Sequence, residues 1–145
     1  GIGALVIRRG VKLNLPPQST LPTPLIMGFS KALKEAFKKR EFEFERLQNL
    51  ADKFALNIRE KIPEALVSHN PPNQVLVSIP EILPEMLVLA LEREGVLVSA
   101  GPACESNRPE PKETPVRFSL GRDTTEKELN RAIKSLCRVA LNIVK

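Results

Sequence analysis

The sequence predicts an α+β fold, in which a small antiparallel or mixed sheet of about four strands packs against a long N-terminal helix, a middle helix and a C-terminal helix. Three observations support this fold class. The stretch from residue 25 to residue 62 contains no proline. Short apolar runs of strand length follow it, separated by proline and glycine. The last stretch opens with a helix-capping sequence, and the strand-like runs are grouped instead of alternating regularly with helices.

The first 24 residues are expected to form a strand and a connector, separate from a small domain over residues 25–145. The opening GALVIRRGVKL has an apolar run, a glycine at position 10 and a second short run, which predicts a strand and a turn. The proline-rich NLPPQSTLPTP that follows predicts a connector. A strand without a partner leaves an exposed edge, which favours homodimerisation.

The long helix, predicted over residues 25–62, carries apolar residues in steps of three and four. This stripe is interrupted by Arg40 and consists of Leu33, Phe37, Phe44, Leu47, Ala51, Phe54 and Ile58. A helix of this length would extend about 57 Å, which exceeds the diameter of a compact domain of 145 residues. We therefore expect it to bend or to project, and to span two domains or join a dimer.

Strands are predicted at residues 65–68, 75–80, 96–100 and 116–120. Between the second and the third, LPEMLVLALEREG predicts a helix, with Pro84 in its first turn and Gly95 as its C-terminal cap. The sequence TEKE at positions 125–128 matches a capping box that starts the last helix. The predicted buried stripe of that helix is Leu129, Ile133, Leu136, Ala140 and Ile143.

The composition indicates an ordinary globular domain. With 145 residues, of which 42% are hydrophobic and 27% charged, the chain can bury a core without metals or disulfides. Its two cysteines are expected to be free thiols in a reducing compartment, which favours a cytoplasmic location. No apolar run approaches the roughly 18 residues of a membrane span. Despite a net charge of +5, the only aromatic residues are phenylalanines and no nucleic-acid-binding motif occurs, so nucleic acid is not an expected partner.

Cys104 is the first candidate for chemistry, because VSAGPACESNRPEP predicts a strand that runs directly into a loop. Its neighbours Gly101, Pro102 and Ala103 are too small to cover it. An exposed thiol in a positive environment becomes a good nucleophile. The alternative is a cysteine that merely lies on a loop. Cys137 adjoins the buried stripe of the last helix, and packing is its predicted role.

Arg117 is the second candidate. In VRFSL, alternation of side chains puts Val116, Phe118 and Leu120 on one strand face, so that Arg117 and Ser119 share the other. An arginine within a strand of a small sheet needs a partner for its charge, and a guanidinium group suits a carboxylate ligand. An ordinary surface arginine is the alternative.

The remaining polar residues carry weaker signals. His69, in VSHNPPN, has no partner at a catalytic spacing and is interpreted as a turn residue. Ser19 and Thr20 have hydroxyls that suit a phosphate, but QSTLP is weak evidence. The sequence has no glycine-rich phosphate loop, no metal-ligand spacing and no Ser-His-Asp set. The residues alone therefore support an α+β domain with one loop cysteine and one unusual arginine.

Nearly the whole chain resembles the C-terminal part, the small domain, of the NifS/IscS-like cysteine desulfurases. The resemblance lies in GIGALVIRRGVKL, TPLIMGFSKAL, LALEREGVLVSAGPAC and PVRFSLGRDTTEKELNRAIKSL, in the family's order. These enzymes have fold type I and use pyridoxal phosphate. The resemblance implies that L-cysteine is the substrate, that alanine is released, and that the sulfur passes to an acceptor protein, as in iron–sulfur cluster assembly.

The resemblance also implies roles for three residues. Cys104 matches the catalytic cysteine of the family, which lies on a mobile loop and takes the sulfur as a persulfide. Arg117 matches the arginine that binds the α-carboxylate of the substrate. Thr20 matches a threonine that reaches the cofactor phosphate of the neighbouring subunit. The long helix matches the one that leaves the large domain and enters the small domain.

The chain also departs from the family pattern. By this resemblance, the sequence begins after the position of the family's cofactor-bearing lysine, and we expect the large domain that holds the pyridine ring to be absent from it. NLPPQS replaces a glycine-rich GGGQE segment, and the stretch between Cys104 and Arg117 is shorter than usual. We therefore expect that this chain alone binds no pyridoxal phosphate and is inactive until a large domain completes it.

Two other functions stay open at this stage. An isolated or engineered small domain would have a structural role or serve to study folding, and the shortened loops favour this alternative. A sulfur carrier would accept a persulfide on Cys104, for which the thiol pKa must be low. Because nearby carboxylates disfavour a thiolate, Glu105, Glu110 and Glu113 argue against a carrier.

Overall fold

The structure, a computed structural model, describes residues 1–14, 20–69, 72–101 and 115–143. Over these residues it contains three helices and four strands. In chain order they are α1 (Thr23–Lys61), β1 (Leu66–His69), β2 (Gln74–Ser78), α2 (Pro84–Arg93), β3 (Ser99–Ala100), β4 (Val116–Ser119) and α3 (Glu126–Ile143). The predicted α+β fold is confirmed. The chain comprises two compact units, Gly1–Glu41 and Phe42–Lys145.

The first unit lacks the strand that was predicted for GALVIRRGVKL. Residues 1–14 form no strand, although the predicted turn is present at Arg9 and Gly10, where Gly10 has a φ of 93°. An isolated strand leaves its backbone N–H and C=O groups without partners, and no described residue pairs with this segment. The prediction of a strand was therefore wrong. The proposed division at residue 24 stays a prediction, and residues 15–19 of the connector lie outside the described residues.

Helix α1 begins and ends within two residues of its predicted limits. Pro63 follows its last turn, and a proline cannot supply the N–H that would continue a helix. The C-terminal members of the predicted stripe, Ala51, Phe54 and Ile58, are buried. The earlier members Leu33, Phe37 and Phe44 are 47%, 66% and 54% exposed. Only the second half of the stripe therefore contributes to the core.

The four strands lie in the order β1-β2-β4-β3, and all neighbouring strands are antiparallel. One face of the sheet is apolar and buried, and it comprises Val75, Val77, Val116 and Phe118. This face forms one hydrophobic core with the second half of α1, with α2 and with α3. The ring of Phe54 on α1 meets Phe118 on β4 edge-on, with centroids 5.2 Å apart. The core thus orients β4, the strand that carries Arg117.

Strand β3 is shorter than the sequence predicted, because backbone N–H groups that precede it form the C-terminal cap of α2. Gly95 adopts a φ of 77°, and its N–H donates to the carbonyl of Glu92 at 2.8 Å. The N–H of Val96 donates to the carbonyl of Leu91 at 2.9 Å. These are the bonds of a glycine-terminated helix. The predicted cap is confirmed, and only Ser99 and Ala100 of the expected strand pair with β4.

The predicted capping box of α3 is present. The N–H of Thr125 donates to Oε2 of Glu128 at 2.8 Å, and the N–H of Glu128 donates to Oγ1 of Thr125 at 3.3 Å. Both bonds satisfy donors that the helix itself leaves free. The hydrogen bonds from Thr125, first from its backbone and then from its side chain, lower the pKa of Glu128 below its ordinary value of 4.5.

Arg46 on α1 anchors the turn that joins β4 to α3. Its guanidinium donates to the carbonyls of Gly121, Arg122 and Thr124 at 3.2, 2.7 and 3.0 Å. The same group contacts Oε2 of Glu43 at 2.9 Å. At the other edge of this turn, the N–H of Leu120 donates to the carbonyl of Asn73 at 2.7 Å. The C-terminal end of β4 is therefore held from both sides.

The capping box makes the stability of the chain depend on pH. Because the folded state lowers the pKa of Glu128, its stabilisation is present above pH 4.5 and is lost as the pH falls through the lower folded value. Glu128→Gln should lower the free energy of unfolding at neutral pH, and this difference should vanish at the acidic end. Urea unfolding of both chains from neutral to acidic pH measures this difference in the free energy of unfolding. Glu64→Gln, in an exposed turn, is the control, and an unchanged difference at acidic pH would contradict the account.

Candidate functional site

The sheet face that points away from the core carries mostly polar side chains, four of which are serines. Alternation along the paired strands assigns to it Leu66, Ser68, Gln74, Leu76, Ser78, Ser99, Arg117 and Ser119. We call this surface the open face. Arg117 is the one charged residue among the described strand residues of the open face. A ligand on this surface therefore meets a single positive charge among hydroxyl and amide groups.

Arg117 lies between two strands, opposite Leu76 of β2 and opposite Ser99 of β3. Val116 and Phe118 point into the core, as does Leu120, so the predicted assignment of strand faces is confirmed. The Arg117 side chain is half-buried. Its Nε atom is buried and has no hydrogen-bond partner among the described residues.

A buried guanidinium nitrogen without a partner is unfavourable, at a cost of about 1–3 kcal/mol. An arginine on an ordinary surface avoids this cost because its charged end stays in water. Arg117 does not follow that pattern, since its Nε is removed from solvent. Such a group favours an anionic ligand, and a carboxylate matches the fork of a guanidinium.

Cys104 lies outside the described residues, so its exposure on a loop stays a prediction. The chain on either side of it is described. The N–H of Gly101 donates to the carbonyl of Pro115 at 2.9 Å, and Ala100 pairs with Val116. Gly101 and Pro115, between which Cys104 lies in the sequence, therefore meet at the β3–β4 pair, next to Ser99 and Arg117.

Thr20 is exposed and belongs to the first compact unit, whereas Arg117 belongs to the second. Cys137 is half-buried and packs against the core, as predicted. His69 differs from its interpretation as a turn residue. It is the last residue of β1, and its Nε2 lies 3.0 Å from Oδ1 of Asp52 on α1. This contact gives His69 a structural role between the sheet edge and the helix.

The described residues fit a carboxylate better than they fit pyridoxal phosphate. The cofactor needs a lysine for its aldehyde and partners for its ring, and the described part of the open face offers neither beside Arg117. In the described ranges, no cluster of three or more metal-binding side chains occurs. No helix over those ranges has the length and apolarity to cross a membrane.

Leu76 and Ser99 adjoin Arg117 and were not identified from the sequence. The two residues lie 23 positions apart along the chain, and only the order in which β2, β4 and β3 associate makes them neighbours of one arginine. For Ser99 the sequence offered one signal of nearness to the site, which was its position two residues before Gly101 in the stretch that leads to Cys104. Arg46, which holds the end of β4, was also missed, because a mixed run of charges surrounds it in the sequence.

In structural terms, this chain is a small α+β domain. Its open sheet face carries an arginine suited to bind a carboxylate. Residues 14–132 match the aminotransferase class-V family. Because this match covers most of the chain, the chain belongs to that family.

The individual relatives are more specific. Cysteine desulfurase IscS of Rickettsia typhi is 30% identical over 94% of this chain, and cysteine desulfurase IscS of Dictyoglomus turgidum is 31% identical over 96%. This chain spans 40% and 42% of those proteins. A solved NifS-like protein covers 94% of this chain with a TM-score of 0.78 at 20% identity, and 41% of that protein is matched. The latter comparison shows a shared fold.

The alternative that Arg117 is an ordinary surface arginine can be tested by measuring the free energy of unfolding of a variant. Arg117→Met keeps a long side chain but removes the buried nitrogen without a partner, so the free energy of unfolding should rise by about 1 kcal/mol. Urea unfolding of the two chains gives this value. Arg122→Met, in the exposed turn after β4, should change stability by less than about 0.5 kcal/mol. A loss of stability in Arg117→Met would show that Arg117 is satisfied and has a structural role.

Proposed function

We propose that this chain is the small domain of a cysteine desulfurase, which supplies the persulfide-forming cysteine when a large domain that binds pyridoxal phosphate completes it. The observation that carries the proposal is Arg117, whose buried Nε lacks a partner among the described residues of a polar sheet face. The family membership and the similarity to cysteine desulfurase IscS support the same reaction class.

Arg117 would bind the α-carboxylate of L-cysteine. A guanidinium forms two parallel hydrogen bonds with a carboxylate, and these bonds are stronger where water is partly excluded. Since the described open face offers one cation, it suits an amino acid with one carboxylate better than a dicarboxylate. The carboxylate contact would orient the substrate without taking part in bond breaking.

Cys104 would receive the sulfur. Its thiolate attacks the sulfur of L-cysteine, so that an S–S bond forms while the S–Cβ bond of the substrate breaks. The electron pair of the broken bond would stay with Cβ, which would take a proton to give alanine, and Cys104 would retain a persulfide. Pyridoxal phosphate on a large domain would supply the electron sink that this step needs. A sulfur-acceptor protein would then remove the persulfide sulfur.

A homodimer is the proposed assembly, through the opening segment or the long helix. In the first unit, Val6 is 94% exposed and Phe37 on α1 is 66% exposed, and apolar side chains of this kind favour burial by a partner. Thr20 would then contact the cofactor phosphate of the neighbouring subunit. A cytoplasmic location, which the sparse cysteines favour, stays a prediction.

Alanine release from L-cysteine tests the proposal. With added pyridoxal phosphate, the chain alone should form no alanine above the background. Mixed with the part of Rickettsia typhi cysteine desulfurase IscS that this chain does not span, it should form alanine. Cys104→Ala should abolish this activity, whereas Cys137→Ala should retain it. Arg117→Lys should act mainly on KM, raising it by about tenfold, because the paired hydrogen bonds are lost.

Three outcomes contradict parts of this proposal. Alanine formed by the chain alone would show that one of its own lysines serves the cofactor. Equal activity in the mixture with and without Cys104→Ala would remove Cys104 from the reaction. A mixture whose components associate but release no alanine would favour the alternative of a small domain with a structural role.

A further inference from the structure

One row of side chains crosses the open face of the sheet and includes Arg117. The strand register places Ser68 opposite Leu76, Leu76 opposite Arg117, and Arg117 opposite Ser99. Directly opposed residues of antiparallel strands have Cβ atoms about 4.5–5.5 Å apart, close enough for side-chain contact. Arg117 therefore has a large aliphatic neighbour on one side and a small hydroxyl neighbour on the other.

Leu76 is the more buried of the two leucines on the open face. It is half-buried, whereas Leu66 on the same face is 55% exposed. A leucine beside an arginine covers the methylene stem, and Nε is the first polar atom beyond that stem. Cover of this kind by Leu76 would account for the buried Nε of an arginine that is half-buried as a whole.

Ser99 stands on the opposite side and is exposed. Its short side chain adds little bulk beside Arg117, its register partner. A larger residue at this position would add bulk beside the guanidinium group. The two register partners of Arg117 therefore differ in size and in exposure.

We propose that Leu76 is a positioning residue that shields Nε of Arg117 and directs a carboxylate to the two Nη groups, and that Ser99 keeps this end accessible through its small size. This inference rests on the proposed function, in which Arg117 binds the substrate carboxylate. Shielding by Leu76 restricts the rotamers of the arginine and lowers the local dielectric constant, and both effects strengthen a charged hydrogen bond.

Nuclear magnetic resonance of the side-chain N–H groups of the full chain tests the two roles separately. L-alanine is the probe for a carboxylate, and L-alaninamide, which lacks the carboxylate, is its matched control. L-alanine should shift the Arg117 Nη resonances more than the Nε resonance, and L-alaninamide should shift neither. Before any probe is added, the Nε hydrogen of Arg117 should exchange slowly with solvent.

Leu76→Ala should speed exchange of the Arg117 Nε hydrogen by at least about tenfold and weaken L-alanine binding about fivefold. Leu76→Met, which keeps the cover, should behave as the unsubstituted chain does. Leu66→Ala, on the same face but in another row, is the control for a general loss of apolar surface. The backbone amide spectrum of each variant verifies that the fold is retained.

Substitutions at position 99 separate size from hydrogen bonding. Ser99→Ala should leave L-alanine binding unchanged, because the proposed role depends on a small side chain. Ser99→Leu should weaken binding by about tenfold or more without changing the Nε exchange rate. Loss of binding in Ser99→Ala would overturn the role given to its size.

The outcomes distinguish failure of this inference from failure of the proposed function. If L-alanine shifts Arg117 and Leu76→Ala changes neither exchange nor binding, Leu76 has no positioning role and carboxylate binding stands. If L-alanine produces no shift at Arg117 while Leu76→Ala still accelerates exchange, shielding stands and the carboxylate role of Arg117 is overturned. The expected result requires both effects in the same variant.

Discussion

The packing of Phe118 against Phe54 is the interaction on which the candidate site depends. A strand alternates its side chains, so the face that Phe118 occupies determines the face that Arg117 occupies. The edge-on contact at 5.2 Å fixes Phe118 in the core between β4 and α1. A shift of β4 by one residue would bury the arginine among apolar side chains. The hydrophobic core therefore keeps the Arg117 charge on the opposite side of the sheet, where the candidate site lies.

The open face has one feature that protein stability alone does not explain, which is the buried Nε of Arg117. A sheet face stabilised only by its own contacts would not bury an arginine nitrogen without a partner. Unfavourable features of this kind are typical of ligand-binding sites in the unliganded state, because the same group that destabilises the free protein binds the ligand strongly. The two register partners of Arg117 differ, since Leu76 is a half-buried apolar residue and Ser99 is a small exposed one.

The sequence allowed the prediction of those features that depend on local rules. The capping box at Thr125, the glycine cap at Gly95 and the strand face of Arg117 follow from side chains within a few residues of each other, and the structure contains all of them. The resemblance to the cysteine desulfurases is also carried by the sequence alone, and the match to the aminotransferase class-V family agrees with it.

Features that depend on tertiary partners could not be predicted. The opening GALVIRRGVKL has the composition of a strand, but a strand needs a neighbour, and composition does not provide one. Val96 has a strand-forming side chain, yet its N–H is used by the end of α2. The order β1-β2-β4-β3, which makes Leu76 and Ser99 the neighbours of Arg117, results from how distant segments pack. Arg46 likewise gains its role only where α1 meets the turn after β4.

The central claim is that this chain supplies both the carboxylate-binding arginine and the sulfur-accepting cysteine of a two-domain reaction. The most direct measurement is mass spectrometry of the Cys104 peptide after the chain has reacted with L-cysteine, pyridoxal phosphate and the complementary part of a cysteine desulfurase relative. The account predicts that this peptide gains the mass of one sulfur atom, that a reductant removes the gain, and that Arg117→Met prevents it at low substrate concentration. An unmodified Cys104 peptide in a mixture that releases alanine would contradict the account.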